Sequence, residues 1–139
     1  MDKYNSEGYP DPTAYEALTV VEKEEKDAKA YLSLVYIASP FAGDTERNTE
    51  RARGYCRFAV SKGCIPLAPH LLYPQFMDDS DREQREFGLR FALILLTKCD
   101  ELWVFGDKFS DGMLREIAKA KRKGKPIRYF NSKCEEVTR

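Results

Sequence analysis

The feature that most constrains the fold is an alternation between short apolar runs and helical patterns. Leu34–Ala38 and Glu101–Phe105 are almost continuously apolar, which is typical of strands covered on both faces of a sheet. Two further strands are predicted at residues 64–68 and 126–130. Turn residues follow each run, so each is the length of one strand and too short for a buried helix.

Helices are predicted between the strands from apolar residues that recur every three or four positions. They span residues 47–62, about 80–98 and 113–123, and Gly63 and Gly124 are expected to end the first and the last. Ser80 and Glu83 have the spacing of a capping box at the start of the second helix. The stripe of that helix predicted to face the core is Phe87, Phe91, Ile94 and Leu95.

The order β-α-β-α-β-α-β, without a hairpin signal, predicts a parallel sheet wrapped by helices. We expect an α/β, flavodoxin-like three-layer sandwich with a short sheet of four or five strands, in order 2-1-3-4. An arm and an additional helix, opened by a capping box at Thr13 and Glu16, are predicted for residues 1–30. Residues 31–139 are predicted to form the α/β domain.

The charge balance argues against a nucleic acid partner. The 139 residues include 23 Lys and Arg and 23 Asp and Glu, whereas proteins that bind a phosphate backbone usually carry a basic surplus. No apolar run approaches the length of a membrane span. The four cysteines lack metal-site spacing, and His70 is the single histidine. We therefore expect a cytoplasmic protein with reduced thiols, no metal and no cofactor.

Ligands of such sheets bind at the carboxyl ends of the strands, where the strand order reverses. Here that point lies between the first and third strands. The loops at this edge offer acidic and hydroxyl groups, which suit a sugar or nucleoside better than a polyphosphate: Ser39, Asp44, Arg47, Asn48, His70, Asp78, Asp79, Asp81, Asp107, Ser110, Asp111 and Glu116. Neither Gly-x-Gly-x-x-Gly nor a P-loop is present, which disfavours dinucleotide binding and NTP hydrolysis.

Two segments resemble nucleoside 2-deoxyribosyltransferases. Val35-Tyr36-Ile37-Ala38-Ser39-Pro40-Phe41 is similar to the opening strand of that family. The strand that ends at Phe105-Gly106, followed by Gly112-Met113-Leu114-Arg115-Glu116-Ile117-x-x-Ala120, is similar to its third strand and catalytic helix. The resemblance covers about residues 34–127. The whole chain also resembles a branch of small bacterial and phage proteins of the same superfamily that carry a domain of unknown function.

The resemblance implies roles for individual residues. Glu116 matches the nucleophilic carboxylate, and Tyr36 matches the tyrosine that holds it. The family often has an aspartate where this chain has Ser110, and the neighbouring Asp111 is then the displaced acid. A second aspartate of the family is replaced by Ala92. The remaining residues expected to bind substrate are Ser39, Pro40, Phe41, Asp44, Arg47, Asn48, His70, Gly106, Ser110, Gly112 and Met113.

Structural roles remain open for several of these residues. Glu116 could be an exposed glutamate in the first turn of its helix, favoured by the helix dipole. Tyr36 could be a core aromatic residue, and Asp111 could be the N-cap of the last helix. His70 could contact a ligand or be a hydrogen-bonded loop residue. Two further groups of residues also have open roles. Asp78, Asp79 and Asp81 could supply an acid from a lid or could cap a helix. Arg47, Asn48 and Arg51 could bind a 5′-phosphate.

We therefore expect an enzyme that acts on the N-glycosidic bond of a nucleoside or nucleotide, by deoxyribosyl transfer or by hydrolysis, through a glutamate nucleophile. One alternative is a non-catalytic module that binds a nucleotide or a related small molecule. Another is an interaction protein that assembles through its amino-terminal helix. A homo-oligomer, a dimer or a multiple of it, is predicted from the apolar surface of that region: Tyr4, Tyr9, Tyr15, Leu18 and Val21.

Overall fold

The computed structural model describes residues 17–24 and 31–139. Residues 17–24 form a helix, α1, which confirms that an amino-terminal helix is present. The capping box predicted at Thr13, the arm and the predicted continuation to residue 30 lie outside the described residues. The chain divides into a unit of residues 1–31 and a larger unit of residues 32–139, which contains the whole sheet.

The sheet has five strands in the order β2-β1-β3-β4-β5. The first four are parallel, and the short β5 pairs antiparallel with β4 at the edge. These observations confirm the α/β class, the parallel sheet and the predicted order 2-1-3-4. The strands are β1 (Leu34–Ala38), β2 (Ile65–Leu67), β3 (Glu101–Phe105), β4 (Ile127–Phe130) and β5 (Glu136–Val137).

Helices cover both faces of the sheet, as expected for three layers. Because side chains alternate along a strand, Tyr36 of β1 faces α4 and α5, whereas its neighbour Ile37 faces α2. Gly63 and Gly124 follow α2 and α5 with φ of +75° and +65°, so both predicted helix ends are confirmed. The helices are α2 (Thr45–Ser61), α3 (Pro69–Leu72), α4 (Arg82–Leu96) and α5 (Asp111–Arg122), with a 3₁₀ turn at Tyr73–Gln75.

The cap of α4 differs from the prediction. The carboxylate of Asp81 accepts hydrogen bonds from the backbone N atoms of Glu83 and Gln84, at 2.9 and 3.4 Å. Ser80 instead donates its hydroxyl to Asp78 Oδ1 at 2.6 Å. The helix therefore begins one residue later than a cap at Ser80 would place it, because the aspartate reaches the free N–H groups of the first turn.

The predicted core stripe of α4 is also wrong. Phe87, Phe91 and Ile94 are 43%, 38% and 51% exposed, whereas Ala92 and Leu96 are buried against the sheet. The second half of the helix is apolar on nearly all sides, so periodicity alone does not select its inner face. Within the described residues, no helix has the length and apolarity needed to cross a membrane.

Candidate functional site

A cavity of about 430 Å³ opens at the carboxyl end of β1, next to the point where the strand order reverses. Its walls come from the loop after β1, from α3 and the 3₁₀ turn, from α4, and from the first two turns of α5. This is the place where ligands of open α/β sheets bind. The volume lies within the range of small-molecule sites.

Tyr36 and Glu116 meet on the wall of this cavity and share a hydrogen bond. Tyr36 comes from β1 and is 2% exposed, while Glu116 comes from the second turn of α5 and is half-buried. Glu116 is therefore not an exposed first-turn glutamate. The contact between the two side chains is the one that the resemblance implies.

Burial controls the protonation of this pair. It raises the pKa of the Glu116 carboxyl from its ordinary 4.5 to about 7, although the hydrogen bond from Tyr36 acts in the opposite direction. Burial, together with the charge of Glu116, raises the pKa of Tyr36 well above 10. The phenol thus stays protonated and donates to the carboxyl group, which is present in both of its forms near neutral pH.

A second polar pair, Ser39 and His70, lines the same cavity. Ser39 Oγ lies 3.1 Å from His70 Nε2, and the rings of His70 and Phe41 form a T-shaped contact with centroids 6.1 Å apart. Burial lowers the pKa of His70 from 6.5 to about 4, so the imidazole is neutral at physiological pH. It offers one donor and one acceptor nitrogen.

The start of α5 forms a further part of the wall. Ser110 is the N-cap, because its Oγ accepts a hydrogen bond from Met113 N at 3.3 Å. Asp111 is the first helical residue, so its alternative role as the cap is wrong. A Cβ atom at Gly112 would lie 3.4 Å from Leu89 Cδ2, which shows how closely α4 and α5 approach here. All four residues, from Ser110 to Met113, line the cavity.

Other predicted site residues lie apart from the cavity. Asp44 caps α2 by accepting from Arg47 N at 3.2 Å. Asn48 donates to the carbonyl oxygens of Phe41 and Ala42, both at 3.1 Å, and so supports the loop that carries Phe41. The described cavity lining does not include Pro40, Asp44, Arg47, Asn48, Arg51 or Gly106.

No role was predicted for the residues that the 3₁₀ turn and the first half of α4 contribute to the cavity wall. Asp78 and Asp79, for which a role in a lid was left open, are on this wall, whereas Asp81 only caps α4. A segment of two short helical turns has no periodic signal, although its aromatic and apolar residues could have indicated a packed wall. The lining residues without a predicted role are Ala42, Pro69, Tyr73, Pro74, Met77, Gln84, Arg85, Glu86, Gly88, Leu89 and Arg115.

Across residues 17–24 and 31–139, no group of three or more His, Cys, Asp or Glu side chains is arranged to hold a metal ion. The four cysteines are free thiols. The chemistry available in the cavity is therefore that of carboxyl, phenol, hydroxyl, imidazole and guanidinium groups.

The fold is that of the 2-deoxyribosyltransferases. The solved structure of a 2-deoxyribosyltransferase from the psychrotolerant bacterium Bacillus psychrosaccharolyticus is similar to this chain with a TM-score of 0.59 and 21% sequence identity. The match covers 76% of this chain and 77% of that one. The likeness of fold that the sequence suggested is thus confirmed.

The chain belongs to the family described as a domain of unknown function, DUF7768, whose model matches residues 33–130. The matched segment runs from just before β1 to the end of β4, so it contains both members of the Tyr36–Glu116 pair and the Ser39–His70 pair. A search of curated proteins found no significant match.

Proposed function

We propose that the protein acts on the N-glycosidic bond of a nucleoside or nucleotide, with Glu116 as its nucleophile. Transfer of 2-deoxyribose between bases and hydrolysis are the two forms of this reaction. The observation that carries the proposal is the hydrogen-bonded Tyr36–Glu116 pair on the wall of the cavity. The likeness of fold to a 2-deoxyribosyltransferase supports the same class of chemistry.

In this mechanism the ionised carboxylate of Glu116 attacks C1′ of the sugar as the base departs, as in retaining glycosidases. Water or a second base then attacks C1′ and releases Glu116. Tyr36 holds the carboxylate in position and favours its charged form through the hydrogen bond. Asp111, which lines the cavity from the first turn of α5, is the candidate acid for a base that leaves with a proton.

The Ser39–His70 pair suits the sugar. A hydroxyl and a neutral imidazole 3.1 Å apart present donors and acceptors without a charge, and sugar hydroxyl groups need both. Phe41 beside them offers an apolar surface. We infer that these three residues bind the sugar, while the part of the cavity lined by Tyr73 and Met77 receives the base.

The proposal is tested by incubating the protein with a panel of ribonucleosides, 2′-deoxynucleosides and 5′-nucleotides, with and without an acceptor base. Chromatography detects the free base, and a thermal melt of each mixture detects binding. Release of base from at least one compound is expected. Failure of every compound to release base, over hours and with active controls in parallel, would overturn the proposal.

The second candidate function is a binding module without catalysis. The observation that favours it is Ala92, which gives the α4 wall a methyl group where the resemblance implies an aspartate. Such a module would be stabilised by its ligand by RT ln(1 + [L]/Kd) and would leave that ligand intact. A raised melting temperature without release of base in the same panel would identify it.

We also propose that the protein is a homo-oligomer, a dimer or a multiple of it. The exposed face of α4, with Phe87, Phe91 and Ile94, is an apolar surface of the kind found in interfaces. Glu83 and Arg90 flank this face with opposite charges. Two copies of α4 packed antiparallel can therefore pair these charges around a twofold axis.

A further inference from the structure

The charged groups around the cavity indicate what kind of substrate it attracts. Among the described residues, four carboxyl groups besides Glu116 line it and two guanidinium groups do: Asp78, Asp79, Glu86 and Asp111 against Arg85 and Arg115. Arg115 is already engaged by Glu86 at 3.7 Å. Even with Glu116 protonated, the lining carries an excess of two negative charges, which repels phosphate groups and attracts cations.

One of these carboxyl groups, Asp78, is poorly suited to donate a proton. Asp78 accepts hydrogen bonds at Oδ1 from the hydroxyl and backbone N of Ser80, at 2.6 and 3.0 Å, and these bonds lower its pKa. Glu86 faces Arg115, while Asp79 and Asp111 are exposed to solvent. A general acid must hold its proton until the transition state, and the hydrogen bonds to Asp78 favour its carboxylate form instead.

We propose that the preferred substrate is a nucleoside whose base already carries a positive charge, such as an N7-alkylated purine or a pyridinium. This inference rests on the proposed function and specifies its substrate class. The excess of carboxylates attracts the cation. Tyr73, which lines the part of the cavity assigned to the base, provides an aromatic ring against which a cationic base can pack.

A base that already carries a positive charge can leave the sugar without a proton donor. A carboxylate oxygen of Glu116 bonds to C1′ while the C1′–N bond breaks, and the electron pair of that bond neutralises the base as it leaves. Water then attacks C1′, the bond from C1′ to Glu116 breaks, and its electron pair restores the carboxylate. The water loses one proton to solvent. The cationic nucleoside and water thus give a neutral base, the free sugar and one proton.

The test compares 7-methylguanosine with guanosine, and their 2′-deoxy forms with each other, because each pair differs by one methyl group and one charge. Release of base is measured against an enzyme-free blank. Since a proton donor contributes about 10²–10⁴-fold to such reactions, kcat/KM is expected to favour the cationic member by on the order of 10²-fold or more.

Cationic nucleosides also lose their base more easily in the absence of an enzyme. Two variants distinguish this intrinsic lability from recognition of the cation by the protein. Asp78→Asn and Asp79→Asn, two carboxylates of the lining, should each reduce the preference severalfold, whereas Asp107→Asn, an exposed aspartate outside the described lining, should leave it unchanged. Calorimetric titration of Glu116→Gln, which should not turn over, should show tighter binding of 7-methylguanosine than of guanosine.

Equal binding of the two compounds by Glu116→Gln, with no change of preference in the aspartate variants, would overturn the inference while the proposed function stands. Efficient cleavage of guanosine but not of its cationic partner would do the same. Cleavage of none of the four compounds, while another compound of the panel is cleaved, would overturn the inference alone. Cleavage of no compound in the whole panel would contradict the proposed function as well, so the two failures are distinguishable.

Discussion

The phenol of Tyr36 donates a hydrogen bond to the carboxyl group of Glu116, and the two side chains reach the cavity from different elements, β1 and α5. The strand fixes the phenol because its neighbours are buried on both faces of the sheet. Helix α5 fixes the carboxyl group because Ile117 and Met113 anchor the helix in the core. The pair is thus held by the fold itself, and its protonation has measurable consequences.

Glu116 should make the stability of the protein depend on pH. Because its pKa is raised to about 7 in the folded chain, the folded state binds the proton more tightly, and stability is lost as the pH rises from about 4.5 to about 7. At pH 8, Glu116→Gln should therefore be more stable than wild type by on the order of 2 kcal/mol. Urea unfolding at pH 5 and pH 8 measures this, and a difference that does not grow with pH would contradict it.

His70 should act in the opposite direction. Its pKa is lowered to about 4 by burial, so the folded state resists protonation and stability is lost as the pH falls from about 6.5 towards 4. His70→Gln should lose less stability than wild type between pH 7 and pH 5. Parallel unfolding curves of the two proteins over this range would show that His70 is not buried as a neutral group.

Tyr36→Phe removes the hydrogen bond that lowers the pKa of Glu116. The carboxyl group of this variant should ionise at higher pH, so the acidic limb of kcat/KM against pH should move upward while the protein stays folded. Tyr129→Phe is the matched control, since it removes the hydroxyl of another strand tyrosine, outside the described cavity lining. An unchanged profile in Tyr36→Phe would show that the phenol does not tune the carboxylate.

The homo-oligomer is tested by light scattering at micromolar concentration, where a dimer or a multiple of it is expected. Ile94→Glu places a charge in the exposed face of α4 and should lower the measured mass, because a buried unpaired charge is costly. Val60→Glu, at a 60% exposed position on α2, should leave the mass unchanged. A wild-type mass of one chain would refute the oligomer, and an oligomer unaffected by Ile94→Glu would exclude α4 as its interface.

The sheet could be predicted from the sequence because buried parallel strands are apolar throughout and lie between helices of recognisable period. The inner face of α4 could not, since Phe91 and Ala92 are both apolar and only the packing against β1 decides which is buried. Similarly, Ser80 and Asp81 are both residue types that cap helices, so the sequence does not distinguish them. In the structure it is the carboxylate of Asp81 that reaches the free backbone N–H groups.

The candidate site was predictable in part. The sheet order predicts the edge at which the cavity opens, and the resemblance implies the contact of Tyr36 with Glu116, which no local spacing could show. The loop that carries Tyr73 and Met77 was expected at this edge, but its two helical turns were not, because a four-residue helix followed by a 3₁₀ turn carries no periodic pattern. The burial of His70 could not be predicted from the sequence either, because the residues that cover it are distant in sequence.

The most direct measurement is the initial rate of base release by Glu116→Gln, on the compound that wild type cleaves best. Loss of the nucleophile should lower this rate by about 10³-fold or more, although the variant is expected to be at least as stable as wild type at neutral pH. Glu50→Gln, an exposed glutamate paired with Arg53 and Arg57 on α2, should keep the wild-type rate. Release of base by Glu116→Gln at the wild-type rate would contradict the assignment of Glu116 as the nucleophile.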